Sequence, residues 1–267
     1  VWVVDNSGSM AGEQAAVVNN ASTFFTKLST KHLDFRLGVI ATGSTGTNSC
    51  EMTAQNPAWA LWGTGWTTAA NGASAFSSNV NSVGTGGCGT DETGIFFMER
   101  ALGVHTGVAA TITPRSGAKL IFVILSDEGD GYTTMANKAG ANAPSTTFNT
   151  ASNTFVTNGY KVYTVTGIHD GSATNTGIAI GQPGKCTGSG TSADNANNTD
   201  TKYYNLAAAT GGSSSTICSS DYSAILDNIA TQAAGSASAY TLTKTPVSST
   251  LVVKVNGVTV AQDATNG

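Results

Sequence analysis

The chain opens with residues whose types and spacing could bind a hard cation. After the apolar residues 1–4, Asp5, Ser7 and Ser9 follow in a D-x-S-x-S spacing. If residues 1–4 form a buried strand, the turn after it would aim one carboxylate and two hydroxyls at a single point. Oxygen donors of this kind suit Mg²⁺, Mn²⁺ or Ca²⁺ better than zinc or copper. The alternative is a helix cap, in which Ser7 or Ser9 begins the helix that follows.

A second carboxylate ends the most apolar segment of the chain. Residues 119–127, KLIFVILSD, form an unbroken apolar run that ends at Asp127. Such continuity predicts a strand buried on both faces, as in a parallel sheet covered by helices, where ligands bind at the carboxyl ends of the strands. The alternative is an acidic turn formed by Gly129 and Gly131. Asp5 and Asp127 at neighbouring strand ends would repel each other unless a cation or protons lie between them.

Strands alternate with helices along the sequence. Strands are predicted at residues 1–4, 34–42, 119–127 and 160–168, and apolar stripes at helical spacing mark residues 17–28, 95–102, 148–155 and 222–233. Residues 43–89 are predicted to form a long polar loop. This alternation predicts an α/β fold, a doubly wound and mostly parallel sheet flanked by helices.

Composition argues against several classes of partner. The chain has 267 residues, of which 10% are charged, and its net charge of −4 comes from 12 Lys plus Arg against 16 Asp plus Glu. This composition disfavours nucleic acid as a ligand, because no basic stripe is available to neutralise phosphates. No apolar run approaches the roughly 18 residues of a membrane span. Because Val1 falls within a predicted core strand, we expect further sequence to precede it in the natural protein.

Four cysteines indicate an oxidising compartment. Cys50, Cys88, Cys186 and Cys218 lie far apart, without a C-x-x-C pair, so the spacing does not favour zinc. An even number in a chain with few charges favours disulfides in a secreted protein. Three connectivities are possible, and sequence order favours Cys50–Cys88 and Cys186–Cys218.

In combination, these motifs resemble the von Willebrand factor A domains, among which are the integrin I domains. The segments DNSGSM, DFRLGVIAT, GTGGCGTDE, VILSDEGD and TGGSSSTIC, in that order, are similar to a bacterial extracytoplasmic branch with cysteine-bearing loops. The resemblance covers residues 1–235 and implies a Rossmann-like fold with a metal-ion-dependent adhesion site. Asp5, Ser7, Ser9 and Asp127 match ligand positions of that site.

The resemblance implies a further ligand from the segment before the second predicted helix. GCGTDETGIFFMERAL, residues 87–102, resembles the threonine-bearing loop of the family. Alignment on Gly94 places Asp91 at the ligand position, whereas a shift of one residue places Thr90 there. A third carboxylate, from Asp91, would favour Ca²⁺ or Mn²⁺. Both candidates stay open, and the alternative is a helix N-terminus whose dipole these residues complement.

The function implied is adhesion rather than catalysis. We expect a secreted or cell-surface domain, from a Gram-negative bacterium by the resemblance, that recognises a partner's carboxylate through Mg²⁺ or Ca²⁺, with Mn²⁺ as a third option. Residues 236–267 change character and predict a β extension, with a hairpin whose turn is Asn256-Gly257. Because one hairpin is marginal alone, a second hypothesis is a structural subunit of an extracellular filament that self-assembles through this segment.

Other chemistries fit less well. The glycines of GTGGCG match a dinucleotide fingerprint, but no predicted strand precedes them, and no nucleophile elbow of a hydrolase is present. We therefore expect no enzymatic activity. Trp59, Trp62 and Trp66 form either an exposed ligand-stacking surface or a small aromatic cluster that packs within its own loop.

Overall fold

A computed structural model describes residues 1–31, 33–43, 60–68, 71–86, 92–139, 143, 145, 147–166, 202–217, 219, 221–238, 252–255 and 258–260. The strands are β1 (Trp2–Val4), β2 (Arg36–Leu37), β3 (Val39–Ala41), β4 (Thr67–Thr68), β5 (Ile121–Ser126), β6 (Lys161–Thr166), β7 (Ser214–Thr216), β8 (Val253–Val255) and β9 (Val258–Val260). The α-helices are α1 (Ala11–Asn19), α2 (Ala21–Thr30), α3 (Gly72–Val83), α4 (Gly94–Ala101), α5 (Tyr132–Ala139), α6 (Thr154–Thr157), α7 (Lys202–Ala209) and α8 (Ser223–Ser238), and a 3₁₀ turn, Gly8–Met10, precedes α1.

Within the described residues, the central sheet has the strand order β3-β1-β5-β6-β7, and every neighbouring pair is parallel. The first strand of the chain therefore lies inside the sheet, with β3 on one side and β5 on the other. The direction in which the sheet grows reverses between β1 and β5, which makes their carboxyl ends the topological switch point where doubly wound folds bind ligands. The predicted α/β class is confirmed.

Aromatic side chains pack on both faces of this sheet. On one face, the ring of Trp2 lies 5.7 Å from Phe24 of α2 and 5.6 Å from Phe76 of α3, measured between ring centroids. Trp2 is paired with Val123, so Phe122 points to the opposite face. There its ring meets Phe155 of α6 at 5.6 Å. Burial on both faces explains the continuous apolar runs of β1 and β5.

The segment predicted as a polar loop contains a helix and a strand. Helix α3 runs for 12 residues through a sequence rich in Ser and Asn, and β4 pairs antiparallel with β2. Phe76, Val80 and Val83 are buried along α3, a stripe at helical spacing in an otherwise polar segment. The single helix predicted at residues 17–28 is instead two helices that meet at Asn20.

The chain divides into two compact units, Val1–Ala237 and Ser238–Gly267. In the second unit, β8 and β9 pair antiparallel, with Val253 opposite Val260 and Val255 opposite Val258. The predicted turn residues, Asn256 and Gly257, lie outside the described residues. Among the described residues, none of the helices combines the length and the apolar character that a membrane crossing requires.

Candidate functional site

Asp5 follows β1 at the switch point, and three hydrogen bonds fix its position. It is fully buried, and its backbone N–H donates to the carbonyl of Leu125 at 2.9 Å, which continues the hydrogen bonding between β1 and β5. Its Oδ1 accepts from the backbone N–H of Ser7 at 2.8 Å, the local turn that Asp favours. Its Oδ2 accepts from the hydroxyl of Ser126 at 2.5 Å. The carboxylate is therefore fixed at the edge of the sheet.

The two serines of the opening motif do not act as helix caps. Ser7 occupies the cap position of the 3₁₀ turn Gly8–Met10, but its side chain makes no capping hydrogen bond. The cap position of α1 is Met10. Instead, the hydroxyl oxygens of Ser7 and Ser9 lie 3.0 Å apart. Both hydroxyls thus lie just beyond the strand end that carries Asp5.

Asp127 follows β5, the strand next to β1, and is 7% exposed. Burial and, after it, the charge of Asp127 raise the pKa of Asp5 to about 7, against the opposing effect of the hydrogen bonds from Ser126 and Ser7. The structure therefore brings the two predicted aspartates to one edge of the sheet, where their charges repel. The negative potential of the two carboxylates favours a positive charge beside them, at the carboxyl ends of the two strands.

Two further buried carboxyls belong to this edge and were not predicted. Glu13 and Glu92 are each 1% exposed. Burial raises the pKa of Glu13, and the charge of Asp127 adds to the effect. Burial raises the pKa of Glu92 to about 11, together with the neighbouring carboxyl of Glu128 and the charge of Asp5. In the sequence both glutamates stand at helix starts, where an acidic residue ordinarily complements the helix dipole in solvent.

The backbone around Glu92 joins two parts of the edge. The N–H of Thr93 donates to the carbonyl of Thr42, after β3, at 2.9 Å, and the N–H of Gly131 donates to the carbonyl of Glu92 at 2.8 Å. The hydroxyls of Thr42 and Thr93 are buried without a hydrogen-bond partner in the described part of the chain. The segment before α4 therefore adds oxygen atoms to the same edge as Asp5 and Asp127.

Several predicted residues lie outside the part of the chain that the structure describes: Thr90, Asp91, Trp59 and the cysteines Cys50, Cys88, Cys186 and Cys218. Trp62 and Trp66 are half-buried and pack against the hydrophobic core. The guanidinium of Arg36 lies 4.4 Å from the ring centroid of Trp66. These two rings contribute packing to the fold, and a ligand surface formed by all three tryptophans stays a prediction.

The donor chemistry of the edge fits a hard cation, since Asp5, Ser7, Ser9 and Asp127 offer oxygen only. Carboxylates alone do not make a metal site here. In the described ranges, no group of three or more His, Cys, Asp or Glu side chains is arranged to hold a metal ion. A cation at this edge would therefore use the serine hydroxyls or water as well.

Comparisons with known proteins do not identify the function of this chain. No family model matches the chain, and no curated protein matches it. A solved structure, an aerotolerance-related membrane protein from Bacteroides fragilis NCTC 9343 with multiple mutations to serines, is similar at a TM-score of 0.42 and 12% identity, over 88% of this chain and 97% of that one. A likeness at this level carries no information about function.

Proposed function

We propose that the edge between β1 and β5 binds a divalent cation, Mg²⁺ or Ca²⁺, with Mn²⁺ as a functional substitute. Asp5, Ser7, Ser9 and Asp127 would hold it directly or through water, and Thr90 or Asp91 would complete the set. The observation that carries the proposal is the position of two buried aspartates at the switch point. Burial raises the pKa of Asp5 to about 7, and the charge of Asp127 contributes to this value. A cation would replace this repulsion by attraction.

The proposed role of the cation is recognition of an acidic partner. A cation held by few anionic donors keeps enough Lewis acidity to attract another carboxylate. The protein would then be a binding domain of von Willebrand factor A type rather than an enzyme, at the cell surface or outside the cell. The sequence resemblance supports this role, and the disulfides Cys50–Cys88 and Cys186–Cys218 would suit that compartment.

The cation is tested first by calorimetric titration with Mg²⁺, Ca²⁺ and Mn²⁺. We expect the wild type to bind at least one of them, and Asp5→Asn and Asp127→Asn to bind at least about tenfold more weakly, because each variant removes one anionic donor. Asp227→Asn is the matched control, since Asp227 lies in an exposed ion pair with Lys27. A wild type that binds no cation at millimolar concentration would overturn the proposal.

Recognition is tested on a carboxymethylated dextran surface, with unmodified dextran as the reference. We expect the cation-loaded wild type to bind the carboxylated surface and to be released by chelator. Asp5→Asn should not bind, and Asp227→Asn should bind like the wild type. Binding that persists in chelator would show that the carboxylate is not recognised through a cation.

A second candidate function is a structural subunit of an extracellular filament. It is favoured by the hairpin of β8 and β9, which form a two-stranded sheet in the described part of the second unit. Such a pair is marginally stable alone and offers free strand edges to another chain. Electron microscopy of the purified protein at high concentration tests it: ordered fibres would support assembly, and a monodisperse monomer would contradict it.

A further inference from the structure

Asp130 is a buried carboxylate that follows Asp127 by three residues and is not among the ligands proposed above. It is 2% exposed. Its Oδ1 accepts from the backbone N–H of Tyr132, the first residue of α5, at 2.9 Å. Its Oδ2 accepts from the backbone N–H of Ile95, in the first turn of α4, at 2.9 Å. One carboxylate therefore joins the amino ends of two helices, where the helix dipole favours a negative charge.

Helix α7 reaches the same carboxylate through Tyr203. Burial, and after it the charge of Asp130, raise the pKa of Tyr203 well above its ordinary value, so the phenol stays protonated and donates to Asp130. The backbone N–H of Gly94 donates to the phenol oxygen at 2.9 Å. A Cβ at position 94 would lie 2.8 Å from that oxygen, so this close approach requires glycine. Beside Tyr203, Nζ of Lys202 donates to the backbone carbonyl of Asp130 at 2.9 Å.

These hydrogen bonds join two segments at the edge of the sheet. Loop 127–131 begins with Asp127, a proposed ligand, and segment 92–95 leads into α4. The N–H of Gly131 donates to the carbonyl of Glu92 at 2.8 Å, which adds a third connection to those made by the carboxylate and the phenol. The spacing between the two segments is therefore fixed by hydrogen bonds that do not involve the proposed ligands.

We propose that Asp130 and Tyr203 are positioning residues of the cation site, which hold Asp127 and the segment before α4 at the spacing that a small cation requires. This inference rests on the proposed function. Mg²⁺ demands near-ideal octahedral geometry with short bonds, whereas Ca²⁺ accepts longer and more variable ones. A site with loosened spacing should therefore lose affinity for Mg²⁺ before it loses affinity for Ca²⁺. A general loss of stability would instead weaken the binding of both cations by the same factor.

Tyr203→Phe tests the assignment, because it removes the phenol oxygen without changing the charge of the site. Calorimetric titration gives the Kd of each variant for Mg²⁺ and for Ca²⁺. We expect Tyr203→Phe to bind Mg²⁺ about tenfold more weakly than the wild type, and Ca²⁺ at most about threefold more weakly. Tyr132→Phe is the matched control. It removes a buried phenol that donates to Glu99, and both of its Kd values should equal those of the wild type.

Gly94→Ala reaches the same contact from the other side. Its Cβ would displace the phenol oxygen while Tyr203 stays in the chain, so we expect the same preferential loss of Mg²⁺ affinity. In the Tyr203→Phe background, Gly94→Ala should cause little further loss, because the two substitutions remove one shared interaction. If Tyr203→Phe does not fold, Gly94→Ala alone carries the test against Tyr132→Phe.

The outcomes separate this inference from the cation site itself. Equal losses of Mg²⁺ and Ca²⁺ affinity in Tyr203→Phe, no loss of either, or the same preferential loss in Tyr132→Phe would overturn the positioning role and leave the cation site standing. A wild type that binds Ca²⁺ but not Mg²⁺ would do the same. A wild type that binds none of Mg²⁺, Ca²⁺ and Mn²⁺, or an Asp5→Asn variant that binds them equally well, would overturn the cation site.

Discussion

Two buried acidic groups lie on either side of the start of α4, and their surroundings are opposite. In the first, the Glu99 cluster, Oε2 of Glu99 accepts from the phenol of Tyr132 at 2.6 Å and lies 3.3 Å from Nε2 of His105. In the second, the edge cluster, which contains Asp5, Glu92 and Asp127, the charge of Asp127 acts on Asp5 and the charge of Asp5 acts on Glu92. Both are hidden from solvent, but Glu99 faces a phenol and an imidazole, whereas Asp5 faces the like charge of another carboxyl.

The difference separates a carboxylate with a structural role from the pair of carboxylates at which we propose a cation. Burial raises the pKa of Tyr132, and the hydrogen bond to Glu99 adds to this, so the phenol stays protonated as a donor. Glu99 therefore joins α4 to α5 through a satisfied hydrogen bond. At the edge cluster the principal influence on Asp5 besides burial is the repulsion from Asp127, which is the arrangement expected of a functional site.

The largest change in stability is expected for a substitution in the Glu99 cluster. Glu99→Ala should lower the free energy of unfolding by about 3–5 kcal/mol, because it leaves His105 and the Tyr132 hydroxyl buried without their partner. Urea unfolding measures the loss. Glu99→Gln keeps an acceptor and should lose less. A Glu99→Ala protein as stable as the wild type would show that this carboxylate is not structural, and the contrast between the clusters would fail.

For Asp127→Asn we expect a change in the free energy of unfolding of the opposite sign. Without cation, this variant should be more stable than the wild type near pH 7, because Asp5 no longer faces a like charge. With cation at about a hundred times its Kd, the wild type should gain about 2.7 kcal/mol, and Asp127→Asn should gain little. Thermal unfolding in chelator and in saturating cation measures both. Equal cation responses of the two proteins would contradict the prediction.

The amino-acid pattern predicts much of the edge cluster because two of its acids end strands. A continuous apolar run indicates a strand buried on both faces, and the residue after it must lie at the carboxyl edge of the sheet. The positions of Asp5 and Asp127 at that edge follow from this pattern alone. Their adjacency depends on the order of the strands in the sheet, which local sequence patterns do not encode.

The other parts of the edge cluster and of the fold depend on tertiary contacts that no local sequence pattern reveals. Glu92 and Glu13 look like ordinary acidic residues at helix starts, and only the tertiary structure buries them. β7 is a run of Ser and Thr that becomes a strand because β6 offers it a parallel partner. Similarly, α3 shows three buried apolar residues among Ser and Asn, too few to outweigh its composition.

The stability of the cation-free protein should fall as the pH rises from about 4 to 7. The pKa of Asp5 is raised from its ordinary value of 3.8 to about 7, so in this window the folded protein holds a proton that the unfolded chain has released. Stability then decreases with pH, by more than about 1 kcal/mol, the value of a single pKa unit. Thermal unfolding in chelator measures the slope, which Asp5→Asn should reduce and saturating cation should suppress. A stability that rises over this window in the wild type and not in Asp5→Asn would contradict the assignment.

The smallest changes in stability are expected for two variants that each remove one hydrogen-bond donor. These variants distinguish the two clusters by the midpoint of the pH dependence of stability. Ser126 donates to Asp5 and lowers its pKa, so Ser126→Ala should move the midpoint of the pH dependence upward while it lowers the free energy of unfolding above pH 7 by about 1 kcal/mol. Tyr132→Phe removes a donor from Glu99 instead, and its loss of about 1 kcal/mol should leave that midpoint in place. Thermal unfolding of both variants across the same pH range in chelator measures the two midpoints. If both variants moved the midpoint equally, the two clusters would be coupled through α4, and the charge at the edge could not be assigned to Asp5 and its neighbours alone.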